Sequence, residues 1–214
     1  MDEPTFFTPH QRATVEAAMA RIIPSDETPG AREAGCIDFL DRYLSGIDFI
    51  FAKPDGSGFE VLEGKAADSW RRRVEILRAK YGQGIADLDA RAENAFSADF
   101  VDLTPEQQDG ILKLVDTGEQ ASTKAEAASG SSEPALQQTS TEIDLDFFPL
   151  LVVHTRQGFY ADPIYGGNRQ QMGWKVIGFH GPLSLKDVHE GRYTTLPFFA
   201  EGEAEKVKEF HDGL

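Results

Sequence analysis

The sequence is short of cysteine, of basic residues and of long apolar runs, and each shortage removes a class of protein. A single cysteine, Cys36, excludes an intramolecular disulfide framework. Lysine and arginine number 21 against 36 aspartates and glutamates, a formal charge of −15 over 214 residues. A chain this negative repels phosphate backbones, so nucleic acid is not expected as a partner. Nor does it dock on anionic lipid by charge. The longest apolar run, Phe147 to Val153, is interrupted by Pro149. A membrane-spanning helix needs about 20 apolar residues, so direct membrane insertion is not expected. The opening Met1-Asp2-Glu3-Pro4-Thr5 has neither the basic start nor the apolar stretch of a leader. The expected compartment is the cytoplasm, or the periplasm with a leader removed.

Signatures of chemistry are missing as well. The five histidines, His10, His154, His180, His189 and His211, form no HxxxH, HxH or HExxH pattern. Gly56-Ser57-Gly58 lacks the rest of a GxGxxG loop, Gly166-Gly167 has no GK[ST] after it, and no GxSxG elbow occurs. Acid pairs such as Asp38 with Asp41, Asp87 with Asp89 and Asp144 with Asp146 have acid–base potential. In so acidic a chain they arise by chance and read first as solvated faces. Cys36 reads as a buried, inert thiol beside Ile37. His154 reads as a core or interface residue holding a hydrogen bond. The residues thus nominate no catalytic, cofactor-binding or metal-ligating group in this chain.

What the sequence does have is helical pattern. Thr8-Pro9-His10-Gln11 is a capping box with proline at the first helical position, followed by Val15, Ala18, Met19 and Ile22 at helical spacing. Pro24 ends that helix and 25–30 form a polar turn. The pattern predicts a second helix from about Ala31 to Leu44, stopped by Gly46. Phe49, Phe51, Phe59 and Val61 flank the turn signal 54–58, which reads either as a small hairpin or as a long loop with aromatic plugs. Trp70, Val74, Leu77 and Tyr81 mark a third helix closed by Gly82, and Ile85, Leu88, Ala92 and Phe96 a fourth. A second capping box, Thr104-Pro105-Glu106-Gln107, opens a helix expected to stop near Gly118. The last helix is expected over about Ile143 to Thr155, with Gly158 as its end.

These elements predict an all-α fold, an irregular bundle of about six helices with long aromatic and glycine-rich C-terminal loops. Residues 1–117 form the N-terminal helical portion. Residues 118–142, with Leu136 as their only large apolar side chain, read as a flexible low-complexity linker. A solvated helix through Gln120 to Ala128 is the alternative. Residues 143–214 supply the last helix and the glycine–aromatic segment, packed on the same single domain. Within that segment, Gly158 to Arg169 and Gly173 to Pro182 combine aromatics with glycines and little helical logic. Glycine allows close backbone approach, and aromatics with polar tips suit interfaces. A structural loop completing the core and a partner-binding surface both fit.

Phe7-Thr8-Pro9 running to Ile22-Ile23-Pro24-Ser25-Asp26-Glu27-Thr28-Pro29-Gly30-Ala31, and on to Asp38-Phe39-Leu40-Asp41, resembles the opening of the gluconate 2-dehydrogenase subunit 3 family. Gly158-Phe159-Tyr160-Ala161-Asp162-Pro163-Ile164-Tyr165-Gly166-Gly167-Asn168, with Gly173-Trp174-Lys175 and Ile177-Gly178-Phe179, resembles its second signature. Asp102 to Asp109 lies between them. The resemblance implies a small, non-catalytic subunit that binds and stabilises, or escorts, a large FAD-binding subunit of the glucose-methanol-choline oxidoreductase type. That subunit oxidises a hydroxyl of a sugar, sugar acid or glycoside, and in many members a cytochrome c subunit takes the electrons. Small subunits of the family typically carry a twin-arginine leader, and this sequence starts directly at Met1-Asp2. On this reading FAD belongs to the partner, and Phe159, Tyr160, Asp162, Tyr165, Asn168, Arg169, Trp174 and Phe179 form the partner interface. Two other readings compete: a free-standing small enzyme using acids with His154 or His180, and a generic chaperone or adaptor.

Overall fold

The computed structural model describes residues 5–129 and 142–179, together with Gly181, Lys186 and Glu190. Its described residues form six α-helices and no extended strand, so the fold is all-α. Helix α1 spans Pro9–Ile22. Its capping box is complete: Gln11 N donates to Thr8 Oγ1 at 3.3 Å, and Thr8 N donates to Gln11 Oε1 at 3.1 Å. Such a cap stabilises a helix by about 1 kcal/mol. Helix α2, Cys36–Ser45, begins later than the Ala31 that the sequence predicts. The cause is Gly35, whose φ of +69° is left-handed and not helical, so 31–35 form a turn.

Gly82 does not end a helix, and the expected pair of helices is one. Helix α3 runs unbroken over Gly64–Phe96, 33 residues and about 50 Å. Val74, Leu77, Tyr81, Ile85, Leu88 and Ala92 are all buried and keep one stripe through the glycines. That stripe outweighs the roughly 1 kcal/mol cost of each glycine. The two glycines differ in role. A Cβ on Gly82 would meet nothing within 4 Å, whereas one on Gly84 would lie 2.1 Å from Cδ2 of Phe147. Gly82→Ala is therefore expected to stabilise by about 0.5–1 kcal/mol. Gly84→Ala is expected to destabilise by about 1–3 kcal/mol through overpacking. Urea unfolding of the two variants checks the opposite signs.

Helix α4, Pro105–Ser129, likewise passes Gly118, its expected stop. Thr104 and Gln107 reproduce the second capping box, with Thr104 N donating to Gln107 Oε1 at 2.9 Å. Residues 130–141 of the expected linker lie outside the described residues. A 3₁₀ turn at Glu142–Asp144 precedes α5, which is Phe147–Tyr160 and not Ile143 to Thr155. Gly158 lies inside α5, where a Cβ would sit 3.0 Å from the Cys36 backbone, so the glycine lets α5 close on α2. Two 3₁₀ turns, Pro163–Tyr165 and Arg169–Gln171, lead to the short α6, Met172–Val176.

The core gathers where α2 packs on α5, with α1, α3 and α4 around the pair. Met19, Leu40, Leu44, Leu77, Leu88, Phe100, Ile111, Leu150, Leu151 and Phe159 are fully buried there. Each such side chain contributes about 1.5–3 kcal/mol of burial. The expected hairpin amounts to one antiparallel bridge, Ala52 with Phe59, in which Lys53 N donates to Gly58 O at 2.7 Å. The aromatic plugs are real too: Phe49 meets Phe59 edge-on at 5.7 Å, and Phe51 meets Trp70 at 5.3 Å. None of the described helices is long and apolar enough to cross a membrane.

Candidate functional site

The two sequence blocks at either end of the chain fold against each other. Arg169 N donates to Ala34 O at 2.9 Å, and its guanidinium pairs with Asp38. Arg12 also reaches Asp38, and donates to Asp41 at 2.9 Å. Buried Asp41 accepts the Phe6 and Phe7 amides at 2.6 and 3.1 Å, which ties down the start of the chain. Glycines make the approach of α5 and the loop after it possible. A Cβ on Gly167 would lie 2.2 Å from Gly158 O, and one on Gly173 only 1.8 Å from Phe159 O. Asn168, wholly buried, spans the gap: its Nδ2 donates to Ala161 O and its Oδ1 accepts from Gly173 N, both at 2.9 Å.

Beside this clamp lies an open groove of about 680 Å³. Phe39 and Tyr43 come from α2, Phe49 and Ile50 from the turn that follows it, and Trp70 from α3. Val153, Arg156, Gln157 and Tyr160 come from α5, and Ala161 and Tyr165 from the segment after it. This volume falls in the range of ligand pockets, and half of the lining residues are aromatic. Tyr165 closes one end, its ring 5.8 Å from Phe59 and its hydroxyl accepting from Ala52 N at 3.3 Å.

Glu142 forms the polar floor. One carboxylate oxygen accepts from His154 Nε2; the other accepts from Arg73 at 2.6 Å and from the Tyr43 hydroxyl at 3.2 Å. The other ring nitrogen of His154, Nδ1, lies 2.8 Å from the Tyr81 hydroxyl. His154 and Tyr81 are fully buried and their rings stack at 5.6 Å. Burial pushes the Glu142 carboxyl up, but hydrogen bonds and charge from His154 and Arg73 outweigh it and hold it below the usual glutamate value. Burial, with the Glu142 charge, raises both the Tyr43 and Tyr81 hydroxyls. This network cross-links α2, α3 and α5 through one side chain. Cys36 is also inward: burial pushes its thiol up to about 12, which leaves it without nucleophilic thiolate near neutral pH. Among the described residues no group of three His, Cys, Asp or Glu side chains is disposed to hold a metal.

A protein-family model described as gluconate 2-dehydrogenase subunit 3 matches residues 9–181. The chain belongs to that family. No curated protein and no solved structure matched the chain. The stretch matched by the gluconate 2-dehydrogenase subunit 3 model takes in both blocks of the clamp from Pro9 on, the whole groove lining and the Glu142 network.

The eight residues that the sequence nominates for a partner interface divide in this family member. Phe159, Asn168 and Trp174 are buried in the chain's own fold. Trp174 Nε1 donates to Tyr160 O at 2.7 Å, and Phe179 meets the Trp174 ring edge-on at 5.1 Å. Asp162 turns inward to accept from Ile164 N at 2.9 Å. Arg169 is exposed but holds Asp38. Tyr160, 39% exposed, and half-buried Tyr165 line the groove. The rest of the groove was missed as a site. Its signal lies in the aromatics of the N-terminal half, Phe39, Tyr43, Phe49 and Trp70; the turn at 54–58 assigns Phe49 to a plug, helical spacing assigns Trp70 to a helix face, and Phe39 and Tyr43 carry no assignment of their own. His180 lies outside the described residues.

Proposed function

We propose that this chain is the small, non-catalytic subunit of a dehydrogenase complex, one that binds and stabilises or escorts a large FAD-binding subunit of the glucose-methanol-choline type. The large subunit oxidises a hydroxyl of a sugar, sugar acid or glycoside, and a cytochrome c subunit takes the electrons where the complex includes one. The observation that carries the reading is the family match over residues 9–181. The geometry supports it from two directions. Side chains with chemical potential, Glu142, His154, Tyr81 and Cys36, are committed to one another or to the core. Meanwhile Phe51, Tyr160, Val176 and Ile177 are large apolar side chains left exposed, and an open aromatic groove lies beside Tyr160.

Co-expression tests the reading. A tagged chain is expressed together with a large flavoprotein subunit, and each is also expressed alone. The expected result is a copurified pair with a flavin spectrum, and a large subunit that loses yield and flavin when the small one is omitted. Equal yield and flavin content without the small chain would overturn it.

A further inference from the structure

In a chain with 36 acids, a guanidinium readily finds a carboxylate. Nearly all the described arginines find one, or a main-chain carbonyl. Arg21 holds Asp109, Arg73 holds Glu142, and Arg78 donates to the carbonyls of Leu44 and Ser45. Arg72 and Arg156 are different. Both are exposed, and neither makes a hydrogen bond or ion pair with a described residue.

The two sit on either side of one aromatic wall. Arg156 lines the groove, Arg72 lines an adjoining hollow of about 350 Å³, and Trp70 borders both. Arg73 lies over the Trp70 ring at 5.0 Å, and its Nε is buried without an acceptor. Glu142 is the sole acid lining either cavity among the described residues, and its oxygens are already engaged by Arg73, His154 and Tyr43. Among the described residues lining the two cavities, Arg72, Arg73 and Arg156 therefore outnumber the one acid, on a protein whose formal charge is −15. Arginines without a described partner beside half-buried aromatics are the composition of an interface centre, where a guanidinium forks onto a carboxylate as water is excluded.

We propose that the groove seats a segment of the large subunit that carries an apolar or aromatic anchor flanked by acidic side chains. The anchor lies among Tyr43, Phe49, Trp70 and Tyr160, and the carboxylates pair with Arg156 and Arg72. This rests on the small-subunit reading and adds the address and chemistry of the contact. The surplus acids elsewhere on the chain repel an acidic segment, so the two free arginines fix where and in which register it docks.

The test uses the co-expressed complex. The double variant R72E/R156E reverses two charges that pair with none of the described residues, so the fold is expected to be retained, and an unchanged melting temperature verifies it. Its affinity for the large subunit is expected to fall by about tenfold or more. R72K/R156K keeps most of the binding, and K113E, on exposed α4 surface, keeps all of it. A photo-crosslinking residue at position 160 is expected to capture a large-subunit peptide containing aspartate or glutamate. Undiminished affinity of R72E/R156E overturns the proposal, as does capture of residues 130–141, of a second copy of this chain, or of a large-subunit peptide without acids. A wild-type chain that holds no large subunit overturns the small-subunit reading and this inference with it. A wild-type complex indifferent to charge reversal overturns this inference alone.

Discussion

Glu142→Ala is expected to cost about 3 kcal/mol, among the largest single-residue effects in the chain, because it strands an arginine and a histidine together. His154 is fully buried and loses the acceptor for its Nε2, while Arg73 keeps a buried Nε without an acceptor and loses its carboxylate. The figure sits at the low end for broken buried pairs, since 28% of the Arg73 side chain reaches solvent. For a protein of this size the melting temperature is expected to fall by about 6–12 °C. Calorimetry of Glu142→Ala, His154→Ala and the double variant checks both size and origin. The two losses should be non-additive, because the second substitution removes a group already left unpaired.

The same carboxylate sets an acid limb. Its folded pKa lies below the ordinary glutamate value, so its contribution is complete above that value and is lost as pH falls through the folded one. Stability of the wild type is therefore expected to decline from about pH 4.5 downward, and the decline is expected to be shallower in Glu142→Gln. Parallel pH profiles of wild type and Glu142→Gln, superimposable after a constant offset, would contradict this assignment.

Gly173→Ala is the other large effect expected. The new methyl would lie 1.8 Å from Phe159 O and 2.8 Å from the Phe159 ring, so α6 must move off the end of α5. Overpacking of this kind costs about 3 kcal/mol or more where backbone is the obstacle. Trp174 rides on α6 and is buried at 5% exposure, which supplies a direct reporter. In a Trp70→Phe background its emission should shift to the red and become open to quenchers. Gly178→Ala serves as the comparison, because only the left-handed φ of +69° opposes it and nothing lies within 4 Å. Its cost is expected to be about 1–2 kcal/mol, with the Trp174 signal unchanged.

What was legible in the sequence is what short-range chemistry decides. Both capping boxes are where Thr8 and Thr104 predict them, because cap and acceptor lie three residues apart. The all-α class follows from apolar spacing that repeats along the chain. Punctuation misled where tertiary contact overrules it: Gly82 and Gly118 sit inside helices, and Gly158 marks a close contact with Cys36 rather than a helix end. The Glu142 network left no local trace, since Tyr43, Arg73, Tyr81 and His154 reach it from three helices far apart in sequence. The glycine–aromatic block announced close backbone approach correctly. Which aromatics face inward depends on how α5 packs on α2 and how α6 folds back on the end of α5, neither of which the block's spacing encodes, so Phe159 and Trp174 read the same as Tyr160.

We propose that this polypeptide contributes contact and no chemistry of its own. Steady-state oxidation of sugar, sugar-acid and glycoside substrates, with an artificial electron acceptor, addresses it directly when run on the purified chain, on the large flavoprotein subunit, and on the two combined. No turnover is expected from the 214-residue chain alone, and a higher, longer-lived rate is expected from the combination than from the large subunit by itself. Turnover by the chain alone would contradict it.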